Sequence, residues 1–77
     1  MYILNLETVE RFHTSSPYRL VEMMHLTSHS SARDVAEYIQ ITSRIVWAIY
    51  GKRVRSSSPT EFVEDMNARG FISRKDD

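Results

Sequence analysis

The chain contains two prolines, and both follow serine, at Ser16-Pro17 and Ser58-Pro59. A serine hydroxyl accepts a hydrogen bond from the unpaired N–H groups of a first helical turn. Proline suits the first helical position, where its missing N–H would have no partner in any case. Each Ser-Pro step therefore marks a helix start, and at the second one Glu61 follows Ser58 by three residues, the spacing of a capping box. The two glycines supply stops. Gly51 and Gly70 each stand where an apolar periodic stretch ends, and glycine is the residue best suited to left-handed backbone at that point.

Between these markers the apolar spacing predicts helices. Tyr18, Val21, Met24 and His25 fall on one stripe, with Leu20 and Met23 beside it, which predicts a helix over 17–27. Ser31 is a second cap, with Asp34 three residues on, and Val35, Ala36 and Ile39 form one apolar face. Gln40-Ile41 then interrupts, Thr42 offers a fresh N-cap, and a further helix runs over 43–50 to Gly51. Phe62, Val63 and Met66 are the inward face of a last helix, and Phe71-Ile72-Ser73 is a candidate short strand before a frayed tail at 74–77. In the first fifteen residues, Tyr2-Ile3-Leu4 reads as a strand or an extended arm, and Leu6, Val9 and Phe12 suit a short helix. The expected fold is mainly α: a small bundle of four to five helices forming a single domain over 1–77, with or without a short, winged-helix-like β element.

Composition limits what such a bundle can do. Seventy-seven residues with 42% apolar and 26% charged side chains are enough for one folded unit, and too few for a large substrate-burying cleft. The absence of cysteine removes disulfides, thiolate metal sites and thiol catalysis, and fits a reducing cytoplasm. No apolar run approaches the roughly 18 residues of a membrane span. A core of this size supplies only about 3–5 kcal/mol, so a homodimer is expected, with the N-terminal segment and the Phe62 helix as candidate contact surfaces. Ten basic residues balance ten acidic ones, which excludes a polybasic binder but leaves room for a local patch.

Such a patch exists. Residues 1–40 carry three basic and five acidic groups, and residues 58–77 the same, whereas residues 41–57 carry Arg44, Lys52, Arg53 and Arg55 and no acid. The cations cluster on and just after the predicted 43–50 helix.

The stretch from Ala32 to Gly51 combines these signals. With Ala32 as position one of twenty, Val35 and Ala36 occupy positions four and five, Ile39 and Ile41 straddle a turn, and Val46 and Ile49 lie on the inner face of the second helix. This pattern resembles the helix-turn-helix of bacterial and phage repressors, with one departure: Gln40 stands at the ninth position, which is usually glycine. The segment from Phe62 to Arg74 is similar to the end of winged-helix regulators. The layout from Pro17 to Arg55 resembles the small enterobacterial operon regulators of the CaiF/GrlA type. The resemblance implies a sequence-specific transcriptional regulator bound to double-stranded DNA, with the helix over 43–50 in the major groove. In that register Thr42, Ser43, Arg44, Trp47 and Ala48 face the bases, with Arg44 placed for a bidentate contact to guanine, and Lys52, Arg53 and Arg55 hold phosphates.

A second reading stays open. Ile45 to Tyr50 is six residues without a charge, and an apolar surface around Trp47 would instead serve a small inhibitor of a host protein. His25 and His29 have the spacing of a helical metal pair but no third ligand, so no metal or cofactor is expected. None of the ten serines has a histidine and a carboxylate arranged around it, so no enzymatic activity is expected either.

Overall fold

In the computed structural model, which describes residues 1–5, 9–28 and 31–75, the chain forms β1 (Tyr2–Asn5), β2 (Val9–Phe12), α1 (Pro17–Thr27), α2 (Val35–Tyr50), α3 (Pro59–Ala68) and β3 (Ile72–Arg74). The strands make one antiparallel sheet in the order β2-β1-β3. The described residues make a small α+β domain, three helices against a three-stranded sheet. The expectation of a mainly α bundle of four to five helices is overturned.

The largest departure is at the predicted elbow. Residues 35–50 form one uninterrupted helix, so there is no helix-turn-helix over 32–51. Its cap is Asp34, whose carboxylate accepts the Glu37 N–H at 2.8 Å, and not Ser31. Continuity has a simple cause. Nothing between Val35 and Tyr50 is glycine or proline, and Tyr38, Ile39, Thr42 and Val46 continue one buried stripe straight through the supposed turn. Thr42 is 7% exposed and its side chain lies beside that of Tyr38, so it is a core residue and not a cap. Burial of Tyr38 pushes its hydroxyl above the usual phenol range, partly opposed by the neighbouring Thr42 hydroxyl. Gln40 keeps helical backbone, since no described residue other than glycine has positive φ.

The amino terminus departs as well. Val9–Phe12 is a strand and not a helix, paired with β1 so that Phe12 stands opposite Tyr2 and Glu10 opposite Leu4. Tyr2, Leu4 and Phe12 are buried on the inner face, joined from β3 by Ile72 opposite Leu4. Leu6, also assigned to the predicted helix, lies outside the described residues. The carboxyl end is more ordered than expected through position 75. Arg74 is part of β3, and Lys75 and Met1 exchange two backbone hydrogen bonds of 2.9 and 3.2 Å.

The Ser-Pro and glycine markers hold. Ser16 accepts the Arg19 N–H at 3.2 Å and Ser58 accepts the Glu61 N–H at 3.2 Å, each followed by proline in the first turn. Gly51 ends α2 at φ 66° and Gly70 follows α3 at φ 84°. Phe62, Leu20, Met24, Ile39, Met66 and Ile72 are fully buried, so every helix and the sheet contribute to one core. Among the described residues no helix is long and apolar enough to cross a membrane.

Candidate nucleic-acid interface

The buried stripe of α2 leaves its opposite face in solvent. Gln40, Ser43, Arg44 and Trp47 follow the spacing i, i+3, i+4, i+7 and therefore share one side of the rod. At Gly51 the left-handed cap turns the chain sharply, with its N–H bonded to the Trp47 carbonyl at 3.0 Å. The connection that follows is fixed at three successive residues. Val54 packs against the core, Arg55 is bound to α3, and Arg53 between Trp47 and Val54 in sequence returns to lay its guanidinium 4.7 Å from the centre of the Trp47 ring. The result is a groove of about 330 Å³ lined by Gln40, Ser43, Arg44, Trp47, Arg53, Val54 and Ser56. Two cations stand on it and no carboxylate does, among the described residues.

The predicted contact residues divide clearly. Arg44, Trp47 and Ala48 are exposed as expected, and Trp47 retains 51% of its surface. Arg44 makes no ion pair among the described residues. Lys52 is exposed next to Gly51. Thr42 faces the core, contrary to expectation. Ser43 is half-buried and donates its hydroxyl proton to the Ile39 carbonyl at 2.7 Å, which leaves it an acceptor only.

Arg55 is also lost to the interface. Its guanidinium donates to Glu61 at 2.7 Å, to Asp65 at 3.0 and 3.1 Å and to Glu64 at 3.4 Å, while its backbone N–H donates to Asp65 at 2.8 Å. These contacts hold the Asp65 carboxyl below the ordinary aspartate range and the Arg55 guanidinium above its own. A cation already surrounded by three carboxylates has little to offer a phosphate. Its role is to tie the 52–57 connection to α3.

The apolar surface also divides. Ile45 and Ile49 are 48% and 65% exposed, but each is two residues from Trp47, which sets it roughly 160° away around the helix. Trp47 faces the cationic groove, while the isoleucines form a separate flank. Tyr50 packs on Phe71 with ring centres 4.9 Å apart. His25 is engaged structurally. Its Nε2–H donates to the Ala32 carbonyl at 2.9 Å and its ring stacks on Tyr38 at 5.4 Å, while His29 lies outside the described residues.

Gln40, Val54 and Ser56 were not anticipated as lining residues. Gln40 had a signal, since its spacing to Arg44 and Trp47 is that of one helical face once 35–50 is read as a single rod. The folding back of Val54 and Ser56 had none in the local sequence. No family model, curated protein or solved structure matches this chain.

Proposed function

We propose that this protein is a small nucleic-acid-binding module, acting in the cytoplasm as a regulator, whose contact surface is the groove between the outer face of α2 and the connection that follows it. One observation carries the reading: Arg44 and Arg53 share a groove with an exposed tryptophan and, among the described residues, with no acidic group, within a chain of zero net charge. Segregating cations in this way concentrates positive potential where phosphates would sit. Lys52 extends the same field. The two-helix elbow gives this proposal no support, so base readout by a separate recognition helix is not part of it. Fluorescence anisotropy of labelled oligonucleotides at about 50 mM salt, comparing wild type with an Arg44→Ala/Arg53→Ala variant, tests the reading. Retention by wild type and loss by the folded variant supports it; equal binding by both removes it.

Ile45 and Ile49 favour a second reading, protein contact. Two exposed isoleucines one helical turn apart form an apolar ridge that water solvates poorly, and a second copy of the chain is the occupant that the small core calls for. Molar mass by light scattering, for wild type and Ile49→Asp, decides this. A dimer that becomes a monomer supports it, and a wild-type monomer rejects self-association.

A further inference from the structure

The chain has one tryptophan, and its ring is covered on one face by a guanidinium while half of its surface remains in solvent. An indole is a costly group to leave exposed on an otherwise polar helix face, and this one lines a groove together with two cations. Neither Arg44 nor Arg53 makes an ion pair among the described residues. The arrangement combines a flat aromatic surface with two cations in one groove.

Resting on the nucleic-acid reading above, we infer that the groove takes an unpaired base, stacked on the solvent-exposed part of the Trp47 ring, with the neighbouring phosphates held by Arg44 and Arg53. The ligand class is therefore single-stranded nucleic acid. In a duplex the flat faces of the bases are hidden in the stack and only their edges reach the grooves, so an indole there finds no ring to cover. A single strand presents that face, and stacking on an aromatic side chain is the usual means by which proteins hold it. The scale agrees as well. At about 330 Å³ the groove lies at the lower end of small-ligand sites, suited to one nucleotide and not to the width of a helix. Arg53 on the far face completes a sandwich of guanidinium, indole and base, in which the cation also strengthens the local attraction for phosphate. Stacking is itself tolerant of base identity, since every base has a π-face, and the exposed Gln40 side chain on the groove is the group placed to add a preference. Sequence preference at this site is therefore modest.

Because Trp47 is the sole tryptophan, its emission reports on this groove alone. The full-length protein is titrated with an oligothymidylate of about eight nucleotides, with a matching oligomer of abasic units, and with a hairpin duplex. Stacking predicts that oligothymidylate quenches the emission and binds more tightly than either competitor. Trp47→Ala lowers oligothymidylate affinity about 5- to 150-fold, the usual cost of one lost stacked base, and brings it near that of the abasic oligomer. Trp47→Phe, which keeps a ring at the same place, retains part of the affinity. The inference falls if the emission is unchanged by oligothymidylate, if Trp47→Ala binds as tightly as wild type, or if the duplex binds as well as the single strand. In each of those cases, binding that still depends on Arg44 and Arg53 preserves the broader reading. If no nucleic acid is retained at low salt, both fall together.

Discussion

Replacing Gln40 by glycine gives opposite results for a continuous rod and for a helical elbow. In the rod, position 40 is mid-helix, with helical backbone and a side chain exposed in the groove. Little packing is lost on removing that side chain, so the cost is that of helix propensity. Glycine is less favourable than glutamine in a helix interior by about 0.6 kcal/mol. A domain of this size loses about 4–8 °C of melting temperature per kcal/mol, so Gln40→Gly should melt about 2–5 °C lower. In an elbow with residue 40 at positive φ, glycine would instead relieve about 1–2 kcal/mol of steric cost and raise the melting temperature. Gln40→Pro sharpens the contrast, since proline within a helix costs about 3 kcal/mol or more, most of the roughly 3–5 kcal/mol that a core of this size supplies. Thermal unfolding followed by circular dichroism at 222 nm decides the matter. A glycine variant more stable than wild type would refute the continuous helix and all that is built on its outer face.

Asp65, held below its ordinary range by Arg55, contributes stability that is fully present above the unfolded aspartate value of about 4 and is lost as pH falls through the lower native value. Asp65→Asn should therefore be less stable than wild type at neutral pH, and the difference should close in urea titrations carried out below about pH 4. Phe62→Ala removes a fully buried ring from the centre of the core and should cost about 3–5 kcal/mol, leaving the chain close to unfolding in a urea melt. Ile45→Asp, on the exposed flank, should leave the melting temperature within a few degrees of wild type and leave oligonucleotide affinity unchanged; a large loss of affinity would place the binding surface on the wrong side of α2.

The parts of this fold that could be read from sequence were those with a short-range cause. Ser16-Pro17, Ser58-Pro59-Thr60-Glu61, Gly51 and Gly70 act through hydrogen bonds or dihedral freedom within three or four residues, and the boundaries they predict agree with α1, α3 and the end of α2. Thr42 misled because a hydroxyl suits two different situations, capping a helix and filling a buried position beside another hydroxyl. Tyr38, four residues earlier, settles which applies here. Val9 to Phe12 misled because spacing of three between apolar residues suits a helix, whereas strand pairing with Tyr2 to Asn5 depends on a partner that local periodicity does not reveal. The site follows the same division. The cationic character of 41–57 was legible in the charge pattern, whereas the exposure of Arg44 and Trp47 was expected from a helix-turn-helix register that the continuous α2 replaces, and the same register misplaced Thr42. The capture of Arg55 by Glu61, Glu64 and Asp65 was not, because it depends on how α3 lies beside the connection.

That division fixes the number of cations available to a phosphate backbone, and the number can be measured. With Arg44, Lys52 and Arg53 free and Arg55 engaged, three contacts to a single strand give a slope of about −2 for the logarithm of the binding constant against the logarithm of salt concentration. Arg44→Ala should reduce the slope to about −1.4 and weaken binding at every salt concentration. A wild-type slope near zero, or one that Arg44→Ala leaves unchanged, would contradict the assignment of this groove as the nucleic-acid surface.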